Sequence, residues 1–179
     1  MFPYLEFTFK SSVILAVLAW FLAILMTGLP LDQITKVLVQ LKMPLGSQAP
    51  LIPGLLNLVH VRNKGAAFGM FSGWSVEYAW LFFVATTGVV LVVLGYLLWR
   101  LPDDHWPAAL GYSLILTGAL GNLIDRVRLG EVVDFIDVYW GRYHWPAFNV
   151  ADSLVCVGTA ILVWVIIRDE NIADASNPV

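Results

Sequence analysis

The sequence predicts an α-helical membrane protein with four transmembrane spans. Three observations carry that reading. Of 179 residues, 59% are hydrophobic and only 13% are charged, with a mean hydropathy of +0.78. Soluble domains carry about a quarter charged residues, so the polar surface is too small to cover a globule of this size. That excludes a soluble enzyme, a disordered tail and a disulfide scaffold. Second, four stretches are long enough to cross a bilayer, which takes about 20 apolar residues. Third, the polar residues that end spans one and three and begin span four, Asp32, Lys36, Asn122, Asp125, Arg126 and Asp152, all fall on one face.

The first span runs from Ser11 to Leu31 without a charge. Acidic Glu6 stands before it and no small-x-small cleavage site follows, so it reads as a retained helix, not a signal peptide. Gly28 and Pro30 can bend it near its far end, because Pro30 lacks the N–H that would bond to Met26. A long connection containing Pro44, Pro50 and Pro53 follows. Span two is Tyr78 to Trp99, and the short polar turn from Arg100 to His105 leads to span three, Trp106 to Ile124. The next connection contains the β-prone run Val132-Val133-Asp134-Phe135-Ile136. Span four runs from about Phe148 to Ile167 and carries Asp152 near its start. The polar tail from Asp169 is expected to fray. No repeat or low-complexity run is present, so residues 1–179 form one membrane domain, with a loop subdomain over about 40–76. Four spans put both long connections on one membrane face, opposite the short turn and both termini. Trp residues near the span ends suit an interfacial aromatic belt.

Charge and cysteine narrow the partners. A net charge of -3 and a pI of about 5.5 give no basic face for nucleic acid. Cys156 is the only cysteine, so no internal disulfide forms, and it is expected to pack within span four. His60, His105 and His144 lack metal-ligand spacing, so no metal site is expected. On the long-connection face lie Lys36, Lys42, Arg62, Lys64, Arg126, Arg128 and Arg142, against Lys10, Arg100 and Arg168 on the other. A positive-inside count would place the long connections in the cytoplasm.

Ionisable groups at membrane depth are costly and mark functional sites by default. Asp32 and Lys36 follow span one at i,i+4, acid first, the favourable order for a helical ion pair; they either anchor the helix end or belong to a site. Asn122, Asp125 and Arg126 share one helical face. Arg126 either clamps a substrate oxygen or neutralises Asp125. Asp134 has apolar neighbours that disfavour ionisation. If Asn149 is a helix N-cap, Asp152 lies in the first turn, where the dipole favours a carboxylate. Two carboxyls in opposed environments suit acid–base chemistry on a water molecule; the alternative is two unrelated surface charges. Asp137, three residues beyond Asp134, points to the opposite strand face and is expected to be solvated.

These residues carry a resemblance. Asp32-Gln33-Ile34-Thr35-Lys36, Asn63-Lys64-Gly65-Ala66-Ala67-Phe68, Gly118-Ala119-Leu120-Gly121-Asn122-Leu123-Ile124-Asp125-Arg126, Val132-Val133-Asp134-Phe135 and Phe148-Asn149-Val150-Ala151-Asp152 resemble the successive motifs of the lipoprotein signal peptidases (signal peptidase II). They come in that family's order, from about Asp32 to Ile167. Each alone is weak; five in order on a four-span layout are specific. The resemblance implies an aspartic endopeptidase of the bacterial inner membrane, free of metal and organic cofactor. It cleaves diacylglyceryl-modified prolipoproteins before the lipobox cysteine. Asp134 and Asp152 match the catalytic dyad. Asn63, Asn122, Arg126 and Asn149 match residues that contact substrate or globomycin-type inhibitors. Asp32, Lys36, Gly65, Ala67, Phe68, Asp125 and Ala151 match supporting positions. It also implies an extracytoplasmic β-cradle, a mobile helix from the first long connection covering the site, and contact with membrane lipid; a monomer is expected, although the sequence does not itself reveal the oligomeric state. Its termini are cytoplasmic and its active face periplasmic or outer, against the charge count. Pro30 is the departure, since the family's helix is uninterrupted before Asp32. Two rival classes are a proton or cation relay and a catalytically silent lipid-binding scaffold. A relay needs polar residues through the midplane, where spans two and three offer only Thr and Ser.

Overall fold

The computed structural model describes residues 3–64, 76–102 and 105–176. Four helices, α1 (Pro3–Lys42), α2 (Val76–Trp99), α3 (Trp106–Leu129) and α4 (Val150–Ser176), accompany four strands. These are β1 (Gln48–Ile52), β2 (Leu56–Asn63), β3 (Val132–Trp140) and β4 (Tyr143–His144). Each helix contains a stretch long and apolar enough to cross a membrane, as the sequence predicts. Half of the α3 stretch is buried, against 17% or less in the other three. So α3 is the central helix, and the others turn apolar side chains such as Met26, Val92 and Ile166 outward.

Glycine makes the central packing close. A Cβ at Gly118 would collide with the Ala151 carbonyl oxygen, and one at Gly121 would stand 2.6 Å from Asp32 Oδ2. Small residues let membrane helices touch backbone to backbone. Here that contact brings the start of α4 and the polar end of α1 against the same two turns of α3.

Three helix boundaries differ from the sequence expectation. Helix α1 continues through Pro30 to Lys42. Losing one hydrogen bond at Pro30 is tolerated because the following turns are held by Asp32, Lys36 and Val39, all buried against the rest of the protein. Helix α3 passes Ile124 and ends at Gly130, whose φ of 77° is left-handed and whose N–H returns to the Arg126 carbonyl at 3.0 Å. Helix α4 runs on to Ser176 without fraying at Asp169; no glycine or proline interrupts that tail before Pro178.

The strands form one antiparallel sheet in the order β1-β2-β3-β4. The β-prone run therefore becomes the inner strand β3, paired with β2 so that Val61 faces Asp134 and Asn63 faces Val132. Val133 and Phe135 pack on Val39 of α1, fastening the sheet over the end of the helix bundle. Asp137 is not solvated as expected. It is buried, accepts from Asn57 Nδ2 at 2.8 Å, and pairs with His144 Nδ1 at 2.9 Å. Cys156, expected to pack, is exposed on α4. The described part of the first long connection, 43–64, holds β1 and β2. Gly65, Ala67, Phe68 and the rest of that connection, where a covering helix would fall, lie outside the described residues.

Candidate active site

The polar residues singled out above converge where α1, α3, β3 and the start of α4 meet. At the centre is Lys36, 1% exposed. Its Nζ lies 2.9 Å from Asp32 Oδ2 and 3.0 Å from Asp125 Oδ2, and it donates to Asn122 Oδ1 at 3.0 Å. An ammonium has three donors, and all three are used. Each of the two carboxylates also reaches a backbone amide. Asp32 Oδ1 accepts from Ala151 N at 2.8 Å, and Asp125 Oδ2 accepts from Val133 N at 3.2 Å. Ala151 and Val133 immediately precede Asp152 and Asp134.

The α4 N-terminus is a capping box. Asn149 Oδ1 accepts from Asp152 N at 2.9 Å, and Asp152 Oδ2 accepts from Asn149 N at 3.2 Å. Asn149 is therefore the N-cap that the sequence suggested. Its Nδ2 donates onward to Asp134 Oδ1 at 2.8 Å and to Asn122 Oδ1 at 3.2 Å, joining the strand to the helix. Asn122 Nδ2 donates to Asp152 Oδ1 at 2.7 Å, and Asn63 Nδ2 donates to Asp134 Oδ2 at 3.0 Å. All four carboxyl oxygens of Asp134 and Asp152 thus face an N–H donor.

Burial pushes the Asp134 carboxyl up to about 6. Hydrogen bonds from Asn63 and Asn149 and the charge of Lys36 oppose the rise, and the nearby Asp152 adds to it. A carboxyl poised there can hold a proton near neutral pH and give it up during a reaction.

Arg126 lies one turn after Asn122. Its guanidinium stands over the Phe83 ring at 5.2 Å and, among the described residues, has neither a hydrogen-bond nor an ion-pair partner. Trp80 Nε1 donates to its carbonyl oxygen and ties α2 to this end of α3. A guanidinium whose donors are unused among the described residues, beside two carboxyls, can bind a carbonyl or ester oxygen.

Of the residues expected at the site, Asp32, Lys36, Asn63, Asn122, Asp125, Arg126, Asp134, Asn149, Ala151 and Asp152 come together; Gly65, Ala67 and Phe68 lie outside the described residues. Sequence reasoning missed Gln33, whose Nε2 donates to Asp32 Oδ2, the Gly121 carbonyl and Asp125 Oδ1 at 3.1–3.2 Å. Its place between Asp32 and Lys36 in the first motif was the available signal. Phe83 beneath Arg126 had none, since any apolar residue of α2 would read alike.

Comparison with known proteins gives the family. The family model described as signal peptidase (SPase) II matches residues 9–168. The lipoprotein signal peptidase of Geobacter metallireducens is 51% identical over 143 residues, 80% of this chain and 87% of that protein. That of Geobacter sulfurreducens is 51% identical over 150 residues, 84% of this chain and 92% of its own length. A bacterial membrane enzyme solved by the in meso method at 2.3 Å superimposes with a TM-score of 0.78 at 34% identity. The match covers 89% of this chain and 93% of that one. A chain carrying this site on this fold belongs to the signal peptidase II family of aspartic peptidases, enzymes of the bacterial inner membrane that process lipoproteins.

Proposed function

We propose that the chain cleaves diacylglyceryl-modified prolipoproteins on the N-terminal side of the lipobox cysteine, using a water activated by Asp134 and Asp152. The observation that carries this reading is the pair of carboxyls on separate elements, held together by Asn149 with Arg126 beside them. Asp152 starts ionised and Asp134 protonated. Water attacks the scissile carbonyl carbon as Asp152 takes its proton, while Asp134 hydrogen-bonds and then protonates the carbonyl oxygen. As the tetrahedral species collapses, Asp134 recovers that proton. Asp152 passes its own to the departing cysteine nitrogen. No covalent enzyme intermediate forms and no metal or organic cofactor takes part.

Asn63, Asn122, Arg126 and Asn149 hold the peptide backbone, and globomycin-type inhibitors occupy the same contacts. Asp32, Lys36, Asp125 and Ala151 support the dyad, as do Gly65, Ala67 and Phe68 from the first long connection, whose mobile helix covers the site. The chain works as a monomer, one membrane domain with an extracytoplasmic subdomain over about 40–76. The diacylglyceryl chains stay in hydrocarbon alongside the apolar helices. The termini lie in the cytoplasm and the dyad at the periplasmic or outer face. Lys36 and Arg126 then belong to the site and leave the positive-inside count, which weakens its conflict with this orientation.

The test uses detergent-purified protein and a lipidated prolipoprotein, following signal-peptide release. Asp134→Asn and Asp152→Asn each abolish cleavage while the protein remains folded. Near wild-type turnover in either variant would overturn the dyad. A silent lipid-binding scaffold predicts no release by the wild type.

A further inference from the structure

The half of the helix bundle away from the dyad holds a cavity that takes no part in the site described above. It lies where α1 and α2, each packed on α3, stand apart on the α3 surface. Leu18 and Phe21 of α1, Leu91, Gly95 and Trp99 of α2 and Leu116 of α3 help to line its volume of about 360 Å³, and none of its lining residues is ionisable. Leu18 and Trp99 are 41% and 66% exposed, so the cavity is a groove open to the surrounding membrane.

The depth of the groove fits one leaflet. From Leu91 to Trp99 it follows α2 for about 12 Å, at about 1.5 Å per residue. Half of a hydrocarbon core of about 30 Å is about 15 Å. Trp99 stands at the short-turn end, while Leu91 and Leu116 lie near the middle of the apolar stretches of α2 and α3. The groove therefore reaches from the short-turn surface to about the midplane. A chain hung from a headgroup at that surface fills it, whereas a spanning peptide helix would run on past its lining.

Gly95 makes the room. A Cβ there would meet nothing within 4 Å. Glycine in a membrane helix ordinarily lets a neighbouring helix approach, but none approaches here, and the missing side chain only deepens the groove. The apolar stretch of α2 is the least buried of the four, at 6%. A chain in the groove supplies packing that the protein does not.

A cation marks the mouth. Arg100 follows Trp99 directly, is exposed, and stands over the Tyr96 ring at 5.9 Å. Among the described residues its guanidinium has neither a hydrogen-bond nor an ion-pair partner. Such a fork of donors fits a phosphate, and Trp99 beside it suits the headgroup level. Asp103 and Asp104 of the same turn lie outside the described residues, so the headgroup contact rests on Arg100.

We propose that this groove binds one acyl chain of a membrane phospholipid from the leaflet at the short-turn face, with the lipid phosphate on Arg100. The lipid braces α2 against α1 and α3. The far end of α2 carries Trp80 and Phe83, which contact Arg126, so the brace bears on the helix that backs the site.

The test is lipid binding by the detergent-purified full chain, read by native mass spectrometry and thermal unfolding. The probes are dioleoyl phosphatidylglycerol and the phosphate-free dioleoylglycerol. The wild type binds one phosphatidylglycerol, and its melting temperature rises with lipid concentration. Dioleoylglycerol binds at least about 10-fold more weakly, the loss of one charge-assisted hydrogen bond. Arg100→Gln weakens phosphatidylglycerol binding by the same factor. Gly95→Leu fills the groove, melts above the wild type without lipid and no longer responds to it. Gly88→Leu, on the same face of α2 but beyond the groove, also enters open space and gains the same helix propensity, yet still responds.

Equal binding of the two probes, or undiminished binding by Arg100→Gln, overturns the proposal. So does a Gly95→Leu variant that responds as the wild type does, or a Gly88→Leu variant that loses its response equally. If Gly95→Leu does not fold, the probe comparison and Arg100→Gln decide. A groove that served the substrate instead would bind no separate phospholipid, and Gly95→Leu would raise KM for the lipidated prolipoprotein; that result also overturns the proposal.

Discussion

If Asp134 is poised by burial, it costs the protein stability, and Asp134→Asn exposes that cost as a function of pH. Folding raises the carboxyl from its ordinary value of 3.8 to about 6. Between those values the folded protein holds a proton that the unfolded chain has lost. The Asp134 contribution to wild-type stability therefore falls as pH rises from about 4 to about 6, and is flat on either side. A rise of about 2 units at about 1.4 kcal/mol each amounts to about 3 kcal/mol. The asparagine variant has no such slope. It places an amide N–H₂ against the Asn63 or Asn149 donor, at a cost of about 1–3 kcal/mol that does not change with pH. Asp152 titrates in both proteins and cancels to first order. The informative quantity is thus the change in the difference: from about pH 4 to about pH 7 the variant gains about 3 kcal/mol on the wild type. At about 2–4 °C per kcal/mol for a chain of this size, thermal unfolding in detergent shows the two melting temperatures drifting about 6–12 °C in the variant's favour. A difference constant across that pH range would refute the raised carboxyl. A drift in the wild type's favour would refute its sign.

The same proton sets the kinetics: kcat/KM of the wild type declines above about pH 6 as Asp134 ionises in the free enzyme, measured by initial rates on a lipidated substrate. Asn149→Ala removes the α4 cap, about 1 kcal/mol by itself, together with the donor to Asp134 Oδ1; cleavage is lost while circular dichroism keeps its helical content. Gly118→Ala drives a methyl into the Ala151 carbonyl, so α3 and α4 separate, and both melting temperature and turnover drop by more than the roughly 1–3 kcal/mol of ordinary overpacking would produce. Asp137→Asn leaves turnover unchanged and lowers stability at neutral pH. Burial pushes the Asp137 carboxyl up, but the bonds from Asn57 and His144 outweigh it and hold it below the usual range. The stabilisation is present above about pH 4 and disappears as pH falls further, and thermal scans at about pH 7 and about pH 3 read it.

What the sequence made legible follows the range of the interaction. The Asp32–Lys36 pair, the Asn149 cap and the shared face of Asn122 and Arg126 each depend on residues three or four apart on one helix, and each is present. Asp137 was misjudged because its partners, Asn57 and His144, come from β2 and β4, and strand register is not written in local periodicity. Helix α1 runs on past the expected end of span one for a different reason. Hydropathy equates the last apolar residue before a charge with the end of the buried region, so Leu31 looked like the boundary. Yet Asp32, Lys36 and Val39 are all buried, because the sheet lies over the bundle and Val133 and Phe135 pack on Val39. The interior therefore continues past the apolar span into a protein-enclosed layer, where the few charges are matched to one another instead of to water. Hydropathy cannot register that layer, since its residues are polar. Only the pairing of Lys36 with Asp32, Asp125 and Asn122 reveals it. If Asp134 and Asp152 act as proposed, the requirement for such a layer is chemical: a carboxyl must be dry enough to keep its proton, yet stand where a water and a peptide bond can reach it, and neither open solvent nor lipid offers both.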